Sequence, residues 1–181
     1  FQMSTELSPE DLSKRGVTKD WLKDESLSLF DAVLAAAPAS PLAPEIAFSA
    51  VSLLFEREHW QAAEKRARTA IEVYTNTHFT DSFRYLLAST LYFERKFGEA
   101  STECEAVSER LFRQQDGSQG PSRYRDYALH MLGKIRHSEQ RHAEAIRLYE
   151  KVKTRFSDAA RAIEHLKQKT LSLPEITIVP L

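Results

Sequence analysis

Cysteine occurs once in the 181 residues, at Cys104, so no disulfide can close within the chain and small stapled scaffolds are excluded. Glycine is nearly as scarce. Five glycines are too few for a phosphate-cradling loop, and no G-x-S-x-G, Walker, G-x-G-x-x-G or H-E-x-x-H motif occurs. Seven prolines beside 10% aromatic residues exclude collagen-like and disordered chains. Long hydrophobic runs are missing as well, because the longest charge-poor stretch, residues 32–42, falls far short of the ~20 apolar residues of a membrane span. Neither sign of charge dominates. Lys and Arg number 25 against 26 Asp and Glu, which argues against a globally basic nucleic-acid binder.

The ends differ in character from the middle. Residues 1–3 read as a tag remnant joined to a start methionine, and residues 4–24 carry charges throughout, so no signal peptide is expected there. Residues 171–181 hold Pro174 and Pro180 around Ile176, Thr177, Ile178 and Val179, the pattern of an extended tail or the start of a following domain.

Between them a helical pattern repeats. Three segments place a small residue, an apolar one four later and another three later on one helix face: Ala63, Ala67 and Ala70; Ala100, Cys104 and Val107; Ala145, Tyr149 and Val152. Each follows a second amphipathic helix, predicted over residues 44–57, 81–95 and 122–138. The small residues recur 37 and then 45 positions apart, and counting back reaches Ser26, Phe30 and Val33, a degenerate half-repeat within residues 4–43. The units are 44–77, 81–113 and 122–157, with a polar-faced cap helix over 157–170 whose stripe is Ala160, Ile163 and Leu166. Residues 114–121 are the one low-complexity stretch and read as a flexible connection, with a partner-contacting insertion as the alternative.

With Leu129, Leu132, Gly133, Ala145, Tyr149 and Val152 at the signature positions, the chain resembles tetratricopeptide (TPR) repeats, units of about 34 residues of helix-turn-helix. The expected fold is therefore all-α, a TPR-like solenoid of three hairpins behind a degenerate helical segment. Gly133 in mid-helix implies close approach of the paired helix. Cys104 stands where an aromatic is usual, and Arg136 where a large apolar residue is usual.

Chemistry is sparse. Cys104 falls on a core-facing position, where a buried thiol is expected. Glu56 with His59 and Glu139 with His142 are Glu-x-x-His pairs of the kind dinuclear metal sites use, but both sit at turns where ligands would diverge. No metal, cofactor or catalytic residue is assigned, and the chain is read as a non-enzyme. The stronger signal is a phased face on the first helix of each unit: Phe48, Ser52 and Phe55; Tyr85, Ser89 and Tyr92; Tyr127, His130, Lys134 and His137. Rings bury area at low entropy cost, so this set is the candidate groove for a peptide or protein segment. In a compact bundle the same rings would be core. The carboxylate clamp that the resemblance would imply needs lysine and asparagine where Phe48 and Ser52 stand, so that activity is not carried over.

Charge is uneven along the array. Residues 1–58 hold 5 basic and 10 acidic side chains, residues 121–170 hold 12 and 6. The cations alternate with glutamates, so neither nucleic acid nor membrane insertion is expected; a protein partner or self-association is. A second function is an assembly module within a larger protein, and a metal enzyme is the third. A soluble cytoplasmic protein is the expected setting, with the bacterial envelope as alternative.

Overall fold

The computed structural model describes residues 10, 14 and 16–171, the last two by backbone alone. The expected tag remnant and extended tail lie outside the described residues. Within them are eight helices and one β-hairpin: α1 (Lys19–Ala36), α2 (Ala43–Glu56), α3 (Trp60–Val73), α4 (Thr80–Phe93), α5 (Phe97–Glu109), β1 (Leu111–Arg113), β2 (Gln119–Pro121), α6 (Arg125–Ser138), α7 (His142–Glu150) and α8 (Ser157–Leu171). Each helix packs on the next, and α2 also packs on α4, so the chain is an all-α solenoid of stacked hairpins.

Local chemistry sets the boundaries. The hydroxyl of Thr18 caps α1 by accepting the N–H of Trp21 at 3.0 Å, and a proline in the first turn opens α2. The three turns inside hairpins share one geometry. Glu58, Arg95 and Gln140 take φ of 58°, 62° and 61°, in the left-handed region. Around each, two backbone bonds close the helix end, as His59 N–H to Leu54 and Glu58 N–H to Phe55 do at 3.0 Å.

The core is built from compensating sizes. Where α2 and α3 meet, Val51 faces the region of Ala67; between α4 and α5, Ala88 and Cys104 share a cluster. Between α6 and α7 the pair is Gly133 and Tyr149, and the phenol ring occupies the space a Cβ on Gly133 would need. From unit to unit the first-helix residue shrinks, Val51, Ala88 and Gly133, as the second-helix residue grows, Ala67, Cys104 and Tyr149, the kind of volume compensation that a packed core tolerates. Ala63, Ala100 and Ala145 are fully buried, allowing the paired helices to approach.

Arg136 is a polar substitute for an apolar core residue. Its guanidinium reaches Glu105 at 3.0 Å, Glu139 at 3.1 Å and the Ser101 hydroxyl at 3.1 Å, tying α5 and α6 together. Residues 114–121 differ from the flexible connection expected of them. The backbone pairs Phe112 with Gly120 in an antiparallel hairpin, turned at Gly117 with φ 86°, and the Gln114 amide donates to the carbonyls of Phe112 and Gly120. Phe112 plugs this hairpin into the array, and the buried carboxylate of Asp81 accepts from the Ser122 hydroxyl at 2.8 Å. The hairpin accounts for the long spacing between the second and third units. In α8 the buried stripe is Ala159, Ile163 and Leu166; Ala160 is only half-buried.

Candidate partner-binding surface

The phased residues fall on the first helix of each hairpin, and two regularities govern their surroundings. Phe48, Tyr85 and His130 each meet a ring from the residue that directly precedes the next unit's first helix or the cap helix. Phe48 lies 5.6 Å from Phe79, Tyr85 stacks on Tyr124 at 4.8 Å, and His130 stacks on Phe156 at 4.3 Å with planes 2° apart. Phe55, Tyr92 and His137 instead meet the first residue of the second helix, Trp60 at 5.2 Å, Phe97 at 5.6 Å and His142 at 6.0 Å. Every one of these six phased side chains is half-buried. They form ring pairs that span joints and turns, each with part of its surface open.

The residues between them vary. Ser52 is half-buried beside Phe48 and lines, with Phe30 of α1, a depression of about 320 Å³. Ser89 is 5% exposed and its hydroxyl donates to the Tyr85 carbonyl, so it offers no free group. Lys134 is exposed and sits 3.4 Å from Asp158. Tyr127 is 39% exposed, with the Arg155 guanidinium 4.6 Å above its ring. Tyr92 borders a second recess, of about 520 Å³, with Phe93, Phe97 and Glu139.

Phe79, Tyr124 and Phe156, and Trp60, Phe97 and His142, were not among the residues expected at this surface. Their signal is positional: one set ends each inter-unit connection, the other opens each second helix. Phe93, 55% exposed, stacks on Trp60 at 4.9 Å and adds a fifth ring to the edge formed by Phe55, Trp60, Tyr92 and Phe97.

Electrostatics distinguish the third unit. Burial lowers the pKa of His130, as does Lys134, and the 3.1 Å approach of Asp158 opposes both. His137 is lowered by burial and then by His142, His165 and Lys169. Burial also raises the Tyr85 phenol and pushes Cys104 up to about 12, leaving a thiol with no nucleophilic character at neutral pH. Among the described residues no three His, Cys, Asp or Glu side chains gather to hold a metal, and no helix is long and apolar enough to cross a membrane.

Stacked helical hairpins with small-residue contacts and a phased face on each first helix define a TPR-like helical repeat fold. The chain superposes on the crystal structure of MamA with a TM-score of 0.64 at 16% identity, covering 91% of this chain and 85% of that one. It superposes on a tetratricopeptide repeat protein from Parabacteroides merdae ATCC 43184 with a TM-score of 0.62 at 12% identity, covering 88% of this chain and 57% of that one. No protein-family model and no curated protein matches the sequence.

Proposed function

We propose that the protein is a non-enzymatic interaction module that holds a peptide or protein segment along the first helices of its hairpins. The carrying observation is the recurrence of a partly open ring at the same two positions of every unit, Phe48 and Phe55, Tyr85 and Tyr92, His130 and His137. This face is separate from the stripe that packs the hairpins, Val51 and Leu54, Leu87 and Leu91, Leu129 and Leu132, which is buried. Ring faces of this kind contribute binding energy without ordering long side chains. Tyr127 and Lys134, the most open members, give the third unit an aromatic and a cationic contact for an extended segment carrying apolar and acidic residues.

The variants that test this reading avoid the stacked rings, because truncating Tyr85 also removes its partner for Tyr124. A segment selected from a random peptide library on the intact protein is titrated against Tyr127→Ala with Lys134→Glu. Affinity falls at least ten-fold while the circular dichroism spectrum stays unchanged. Equal affinity for the two proteins excludes this face as the binding surface.

A further inference from the structure

A notch of about 460 Å³ opens between α1 and α3 above the middle of α2. Its floor is Ala47, Ala50 and Val51, and Leu34 and Pro38 face Val73 across it. Equivalent places farther along are closed differently. In the second unit Arg84 stands at the position of Ala47 and reaches Glu103 at 2.7 Å, while Arg68 of α3 binds Glu99 of α5. In the third, Leu129 and Leu132 replace the two alanines, and the remaining recess of about 350 Å³ is ringed by charges of both signs, Arg125, Arg147 and Lys151 with Glu105, Glu109 and Glu144. Only at the first joint do two alanines leave an open, largely apolar slot, and Val73 beside it is 61% exposed.

We propose that this slot receives residues 173–181 of a second copy of the chain, giving a head-to-tail contact. That segment carries Leu173, Ile176, Ile178, Val179 and Leu181 and a single charged side chain, Glu175. Pro174 and Pro180 disfavour a helix there, and a chain bound in extended form would present its side chains alternately to the two sides. The charges at the slot are Lys65 and Arg66; Arg66 is bound to Asp31, and Lys65 has no ion pair among the described residues, leaving it to meet Glu175. Long-range charge favours the same polarity, since the basic last third of one copy would approach the acidic first third of the next. The slot lies on a different face of α2 from Phe48 and Ser52, so this contact leaves the proposed partner surface free.

Sedimentation velocity of the full chain over a concentration series tests the contact. Ala62→Trp fills the slot from an exposed position, and Ile178→Asp with Val179→Asp removes the apolar segment. Each raises the concentration of half-association at least ten-fold, and an equimolar mixture of the two variants forms a dimer where neither does alone. Tyr127→Ala with Lys134→Glu leaves self-association unchanged, which separates this contact from the partner surface. A chain that stays monomeric at all concentrations overturns the proposal, as does association untouched by both variants. Protection of residues 173–181 that does not depend on concentration overturns it too, because it places the segment in its own slot.

Discussion

The ring of Tyr149 in α7 lies against the backbone of Gly133 in α6 so closely that a Cβ at Gly133 would stand 2.5 Å from Cε1 and 2.7 Å from Cδ1. No side chain fits there unless the ring moves. Tyr149 is 2% exposed, so the ring is enclosed on its other sides, and the same burial pushes its hydroxyl pKa up to about 12.

Gly133→Ala therefore destabilises the protein. Overpacking costs about 1–3 kcal/mol, offset by the roughly 1 kcal/mol that alanine gains over glycine in a helix. Urea unfolding reads the net loss, and adding Tyr149→Leu makes the alanine favourable or neutral. A stabilised Gly133→Ala single variant would contradict the close contact.

The left-handed turn residues give an opposite effect. Glu58, Arg95 and Gln140 are exposed, and a Cβ in that conformation costs about 1–2 kcal/mol, more than glycine loses in chain entropy. Glycine at each position raises stability by about 0.5 kcal/mol, and the three effects add, since the turns are separate. Thermal unfolding of the singles and the triple checks both the sign and the additivity.

Stability falls as the solution is acidified from pH 7 toward pH 5. His130 and His137 both have folded pKa values below the ordinary 6.5, so the unfolded chain takes up protons first as the pH drops through 6.5. The depressed carboxylates act lower. Glu64, held at about 2 by Lys96 and Arg68, and Asp158, which burial raises but His130 and Lys134 lower further, lose their contribution only as pH falls below the ordinary carboxylate range. His130→Asn flattens the slope between pH 7 and 5, whatever it does to absolute stability. Unfolding midpoints that hold constant over that range would remove the histidine account.

Much of the fold was legible in the sequence for a physical reason. Helix periodicity and the size of a side chain are local properties, so Ala63, Ala100 and Ala145 mark the hairpin contacts, and Gly133 marks a close approach, without any knowledge of what approaches. The candidate surface was legible only in part. The phase of Phe48, Tyr85 and His130 is periodic; the rings they meet, Phe79, Tyr124 and Phe156, lie in connections where no period operates.

The sequence by itself determined the number of hairpins, their order and the faces their side chains occupy, because a 3.6-residue period and a shape-matched pair are written within a few dozen residues. Tertiary structure alone decided the rest. Ring pairing across joints, the ordered hairpin of Leu111–Arg113 and Gln119–Pro121, the ion cluster around Arg136 and the open slot over Ala47 and Ala50 all depend on how one unit sits on the next. That seating is the sum of many contacts between residues distant in sequence.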